Sequence, residues 1–394
     1  MQDEASATDH TSLSINYPIH DGTLAFADYI TQTKRIIKER RVDLTGYTKE
    51  FAQYIINTNS PFELKPPQQS GKIKCGALLI HGLFDCPFTL LDVGKALQST
   101  GMLCRSILLP GHGTAPDDLI SISYQDWLQA LRYGVESMKR DVDHLFLIGY
   151  STGAALSVYH ALIDDQIAGV VLLAPAVGMH NSVDLAIAWH RMKNWIGING
   201  SPWAFKYQEI DYAKYSSVTY NSVIQVSLLT NLIHKMSQTN TLDCPMFIII
   251  GDRDETISSR KALKFFTRYQ HDDSQMLLYS AHPKSYSDPR IVSRLSSYPQ
   301  LNIKDFSHVS IPFAPNNPHY GQNGDYILAS RTDHTHHFVY GGYTKFETIL
   351  YDSMFHYHLI NRPHRSLTYN PDFEFMANMI RDFVQRSCES STQK

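Results

Sequence analysis

Little in this chain marks a special class of protein. Its 394 residues carry 35 Lys and Arg against 38 Asp and Glu, a net charge of −3, so no basic surplus points to nucleic acid. No apolar run approaches the ~18 residues of a membrane-spanning helix. The first eleven residues are polar and acidic and lack the basic-then-apolar layout of a signal peptide. A soluble, cytoplasmic protein is the expectation. The five cysteines, Cys75, Cys86, Cys104, Cys244 and Cys388, are an odd number without a CxxC pair. Cys75, Cys104 and Cys244 lie in or beside apolar runs, where a buried thiol is the ordinary reading, so a disulfide scaffold is not expected. Internal repeats and low-complexity segments are absent. What is left, 43% hydrophobic and 19% charged, is globular, and long enough for one α/β domain with insertions or for two domains.

Short apolar runs recur at residues 75–80, 102–108, 145–148, 170–173 and 245–250, with helix-length segments such as 88–99 and 125–139 between most of them. That alternation predicts a mostly parallel sheet covered by helices on both faces, with chemistry at the carboxyl ends of the strands. Two stretches break the rhythm. After Ala174-Pro175 about 65 residues pass before the next strand, too many for a bare loop. They hold Leu185, Trp189, Met192 and Ile196, then Ile224, Leu228 and Leu232, at helical spacing with aromatics between, which predicts a cap over the site. The second stretch, 281–369, is rich in Pro, Asn, His and Tyr, and the alternation over 301–306 predicts one strand in it. A closing helix follows, capped by Asn370, with Phe373, Met376, Ile380 and Phe383 on one face. Near the start, Lys34, Arg35, Lys38, Arg40 and Arg41 lie on a helical stretch with Ile30, Ile36 and Ile37. Its ordinary role is to pack on the main domain, and residues 24–41 also offer a peripheral membrane contact.

Gly149-Tyr150-Ser151-Thr152-Gly153 is the most informative stretch. Alone the pattern is weak; between an apolar strand and a helix it reads as a nucleophile elbow, a strained turn that exposes a serine hydroxyl. The glycines fit because a Cβ at either site would collide with the neighbouring strand or helix. Serine needs a base to take its proton and a third group to orient that base. After the strand 245–250, Asp252 and Asp254 both qualify as the acid. Asp254, deeper in the loop, is favoured, while Asp252 suits bracing of the turn. Among 19 histidines, His282 and His308 both follow strand-like runs. His282 has the shorter gap from Asp254. His308 is favoured because Ser307-His308-Val309 directly follows the run 301–306, which aims a loop histidine at the catalytic edge, whereas His282 opens a Ser/Pro-rich excursion. Oxyanion donors are expected from the Thr152 amide at a helix N-terminus and the Leu83 amide in His81-Gly82-Leu83-Phe84, with His81 a structural hydrogen-bonder. Asp333-His334-Thr335-His336-His337 offers metal-ligating types without a marked fourth ligand, and no metal or organic cofactor is expected. Asn316-Asn317-Pro318-His319-Tyr320-Gly321 reads as a turn-rich wall of the pocket.

Taken with Leu109-Pro110-Gly111-His112-Gly113-Thr114, Asp126-Trp127-Leu128 and the order of all these motifs, the chain resembles the α/β-hydrolase superfamily, in its monoacylglycerol-lipase and carboxylesterase-like branch. The resemblance covers residues 72–310 and the closing helix near 370–387. It implies an α/β-hydrolase domain over 72–388, a helical cap insertion at about 176–242, and an N-terminal helical extension over 1–71. It also implies nucleophile Ser151, acid Asp254, base His308, and oxyanion amides of Leu83 and Thr152. The departures are the extension, the long Asp-to-His gap, and the 60 residues between His308 and the last helix. The function expected is hydrolysis of carboxylic esters, of a small-molecule or lipid ester such as a monoacylglycerol or lysophospholipid. Acyl transfer, a small peptidase on the same triad, and a non-catalytic binding protein are the alternatives.

Overall fold

A computed structural model describes residues 23–67, 73–178, 201–326, 339–341 and 364–391. Its centre is an eight-stranded sheet in the order β1-β3-β2-β4-β5-β8-β9-β10. The strands are β1 (Phe62–Leu64), β2 (Ile73–Ile80), β3 (Leu103–Ile107), β4 (Val142–Tyr150), β5 (Ile167–Leu173), β8 (Met246–Gly251), β9 (Gln275–Ser280) and β10 (Ile291–Leu295). All pair in parallel except the edge strand β1, which runs antiparallel to β3. The inner strands are buried on both faces along most of their length, which is why they read as unbroken apolar runs. Outside this sheet lies a short antiparallel pair, β6 (Trp203–Phe205) with β7 (Val218–Thr219).

The extension does not stand apart from the sheet. Helix α1 (Phe26–Arg40) buries Phe26, Tyr29, Thr33 and Ile37, positions that share one face. The Tyr29 hydroxyl donates to the Leu108 carbonyl and accepts the Leu108 amide (3.3 and 3.1 Å). Helix α2 (Lys49–Asn59) follows, and β1 then carries Glu63 to Arg105 on β3 (2.7 Å). The apolar face of α1 is thus occupied inside the protein, while Arg35 and Lys38 remain exposed.

Helices α3 (Leu91–Gln98), α4 (Tyr124–Lys139), α5 (Thr152–Ala161), α6 (Tyr220–Met236) and α7 (Ser259–Arg268) connect or flank the strands. A full capping box between Ser123 and Asp126 starts α4. Of the expected cap, the helix through Leu185 and Ile196 lies outside the described residues. Its second helix is α6, but the face turned inward is Ser222, Val226, Leu229 and Ile233, with Ile224, Leu228 and Leu232 only half-buried. The closing helix is α8 (Phe373–Ser391), with Phe373, Met376, Ile380 and Phe383 buried and the Asn370 side chain accepting the Asp372 amide at 2.8 Å.

Two expectations need correction. No regular strand forms over 301–306: Pro299–Leu301 is a 3-10 turn, Asn302 has φ 57°, and Tyr298 and Ile303 form one isolated bridge. Ile303 and Phe306 are still buried, so turn geometry supplies the same in-out pattern as a strand. A strand does form in this stretch at β10, within what reads as a surface excursion, and a separate parallel pair joins Val339–Gly341 to His364–Ser366. Cys75 is not a free thiol either; it is disulfide-bonded to Cys388, joining β2 to α8, with Cα atoms 6.6 Å apart. Cys86, Cys104 and Cys244 are free and buried.

Candidate active site

The site is assembled at the carboxyl ends of β2, β4 and β8, where a parallel sheet opens its crevice. Ser151 stands between β4 and α5 with φ 53° and ψ −112°, a conformation that costs energy for any residue with a side chain. Its neighbours make that turn affordable. A Cβ at Gly149 would overlap the backbone of Gly153 and Ala154, and one at Gly153 would overlap the Ile80 and His81 carbonyls. The Ser151 amide is anchored on the Leu173 carbonyl at the end of β5 (2.9 Å).

Three side chains from distant segments meet here. His308 Nε2 lies 3.0 Å from Ser151 Oγ, and His308 Nδ1 lies 2.7 Å from Asp254 Oδ2. The second Asp254 oxygen accepts the amides of Thr256 (2.9 Å) and Ile257 (2.7 Å), so the carboxylate is fixed in direction before the imidazole arrives. All three residues are buried. Burial works against charge on His308, but the Asp254 carboxylate, its hydrogen bond and nearby Glu255 outweigh it and raise the imidazole pKa. With Nδ1–H donating to the carboxylate, Nε2 carries the lone pair that a serine proton requires.

The two sequence-derived donors sit on opposite sides of that serine in the chain: Leu83 in the loop after β2, Thr152 as the first residue of α5. Among the described residues neither backbone N–H donates to a protein acceptor, the condition expected of amides that serve a ligand oxygen. His81 is tied into the framework. Its Nε2 accepts the Leu109 amide (3.0 Å), so Nδ1–H donates to the Gly82 carbonyl (2.8 Å). Burial, with His112 nearby, lowers its pKa and keeps it neutral. Trp127 donates to the Pro110 carbonyl (3.1 Å), fixing the Pro110-Gly111-His112-Gly113 loop, whose glycines have φ of 86° and 71°.

The competing residues lie elsewhere. Asp252 accepts from the Ser280 hydroxyl at the end of β9 (2.6 Å) and its carbonyl takes the Ser259 hydroxyl at the start of α7 (2.7 Å), so it braces the turn that follows β8. His282 is exposed and lines a separate surface cavity of about 450 Å³ with Asp252, Arg253, Arg260, Lys284 and Tyr286. The segment 333–337 lies outside the described residues; among those described, no group of three or more His, Cys, Asp or Glu could hold a metal.

Three features have no sequence signature. Glu255 accepts the His308 amide at 2.9 Å. Asp85, buried in the Leu83 loop, pairs with Lys214 (3.3 Å), and both charges act on His308. His319 is held between Asp211 (2.9 Å) and Asp325, with the Tyr320 hydroxyl donating to Asp211 (2.6 Å). Residues 211–215 thereby form a strap. Asp211 takes His319; the Tyr212 carbonyl accepts Arg41 (2.8 Å) and Asn59 (2.7 Å); Lys214 meets Asp85; and the Tyr215 amide donates to Phe84 (2.9 Å), a residue held at φ 68°. Only spatial neighbours from remote segments give these side chains a purpose. The His in Asn316–Gly321 was visible in the sequence; its two carboxylates were not.

The family match agrees with this architecture. Residues 72–282 match the family described as serine aminopeptidase, S33. Over 223 residues the chain is 22% identical to the thermostable monoacylglycerol lipase of Bacillus sp. (strain H-257), covering 56% of this chain and 88% of the lipase. Among solved structures it is similar to one from the LipS and LipT pair of metagenome-derived lipolytic enzymes (17% identity, TM-score 0.47, 55% of this chain and 86% of the other). It is also similar to the monoacylglycerol lipase of Paleococcus ferrophilus (16%, TM-score 0.46, 56% and 88%). No described helix is long and apolar enough to cross a membrane.

Proposed function

Because the chain belongs to the S33 serine aminopeptidase family of α/β-hydrolases, we propose that it cleaves carboxylic esters by covalent catalysis at Ser151. The observation that carries this reading is the unbroken hydrogen-bond series from Ser151 Oγ through His308 to Asp254. Ser151 attacks the ester carbonyl while His308 Nε2 takes its proton, and Asp254 holds the tautomer and stabilises the imidazolium. The amides of Leu83 and Thr152 receive the developing oxyanion. His308 then returns the proton to the leaving alcohol and activates the water that hydrolyses the acyl-enzyme.

The substrate class we infer is an ester with an acyl chain of moderate length, a monoacylglycerol or lysophospholipid. Its support is the aromatic segment with Trp203, Phe205, Tyr207, Tyr212, Tyr215 and Tyr220 together with the lipase from Bacillus. The test is hydrolysis of p-nitrophenyl esters from acetyl to palmitoyl by the wild type and by Ser151→Ala, His308→Ala and His282→Ala. The first two variants should lose about three orders of magnitude or more in turnover, and the third little. Equal loss in the two histidine variants, or loss in His282→Ala alone, would remove His308 from its role.

A peptidase is the second reading, favoured by the description of the matched family. Ser151-dependent cleavage of aminoacyl p-nitroanilides without ester hydrolysis would put it in place of the first.

A further inference from the structure

Asp254 and Glu255 are consecutive, yet each grips a different part of the same distant residue. Asp254 takes the His308 ring at Nδ1. Glu255 Oε2 takes the His308 backbone amide at 2.9 Å. That amide opens the one-turn 3-10 helix His308–Ser310, and the first N–H groups of a helix have no partner within it. A third contact, Tyr150 Oη to the His308 carbonyl at 3.3 Å, completes the hold on ring, amide and carbonyl.

We propose that Glu255 is a positioning residue for the base: it fixes His308 through the backbone amide, and its charge sets the proton affinity of the imidazole. The inference rests on the reading of His308 as the base. Either protonation state of Glu255 can accept the amide, through carboxylate or carboxyl carbonyl, so the hold persists while the charge changes. Burial and the neighbouring Asp254 charge push the Glu255 pKa up to about 7, against the pull of His308. Ionised, Glu255 is a second negative charge that favours imidazolium; protonated, it withdraws that support. The other groups that face this cluster are Tyr150 on β4, whose phenol burial holds protonated, and Asp85 with Lys214, the latter opposing charge on His308.

The test is the rate at which a fluorophosphonate labels Ser151, measured from pH 5 to 9 in wild type, Glu255→Gln and Glu255→Ala. This readout needs an activated serine but no knowledge of the natural substrate. Gln keeps an oxygen for the amide and lacks the charge, so its acidic limb should move to lower pH by about half a unit or more, about threefold in rate on that limb. Ala lacks both, and should in addition fall about tenfold below Gln on the alkaline plateau. Coincident limbs for wild type and Glu255→Gln would overturn the charge role; equal plateaus for Gln and Ala would overturn the backbone role. A folded wild type that is not labelled at any pH would instead overturn the reading of Ser151 and His308 on which the inference stands.

Discussion

A single side chain's worth at this site depends on what its removal leaves behind. Among the described residues Lys214 forms an ion pair with the buried Asp85 at 3.3 Å. Burial already raises the Asp85 pKa and Lys214 works against that rise. Lys214→Met should raise it further. An acid whose folded pKa is raised costs stability as pH climbs through that value, so the Tm deficit of the variant relative to wild type should widen from about pH 5 to about pH 8. Thermal unfolding followed across that range checks it, and a deficit that is flat or narrows refutes it. At this scale the sequence was readable where backbone sterics speak locally: Ser151 is flanked by two glycines whose hydrogens face backbone. It was silent on Glu255, whose partner amide is 53 residues away in the chain, and on Asp85, whose partner comes from the strap.

Elements divide in the same way. Strands β2, β4, β5 and β8 were legible because burial on both faces demands unbroken apolar runs. Strand β10 was not, since an edge strand with half-exposed Val292, Ser293 and Arg294 has no such demand. The expected strand over 301–306 mistook alternation for extension. The strap over 211–215 escaped notice because it is irregular backbone held by side chains. Its anchor is pH-dependent. Burial opposes charge on His319, but the hydrogen bonds and charges of Asp211 and Asp325 prevail and raise its pKa. A histidine raised in this way gives stability that is full below its unfolded value, about 6.5, and fades as pH rises through the folded one. The Tm advantage of wild type over His319→Gln should therefore be largest near pH 6 and shrink towards pH 9. Scanning calorimetry at both ends decides it, and an advantage that grows with pH would contradict a charged His319.

For the molecule as a whole, the disulfide is the feature that composition argued against. Cys75 and Cys388 are 313 residues apart; Cys75 lies in an apolar run that reads as ordinary core, Cys388 near the polar end of the closing helix, and only the docking of α8 against the sheet brings them together. Closing so long a loop restricts the unfolded chain, an effect of about 5–6 kcal/mol in the loop-entropy picture, of which disulfides typically deliver about 2–4 kcal/mol. Dithiothreitol should lower the Tm of wild type and leave that of Cys388→Ser unchanged. Equal sensitivity in both would locate the effect elsewhere.

That bond also decides how the protein bears mechanical load. It makes the hydrolase core a closed ring from which residues 23–74 hang as a tail. With handles at Thr23 and Ser391, tension would run from the tail straight through the two sulfurs. The tail, with α1, α2 and β1, would peel away and lengthen. The ring holding Ser151, Asp254 and His308 would be bypassed until the bond was reduced. Pulling in optical tweezers should accordingly give a short extension under oxidising conditions and a several-fold longer one after reduction, with the site intact at the end of the first.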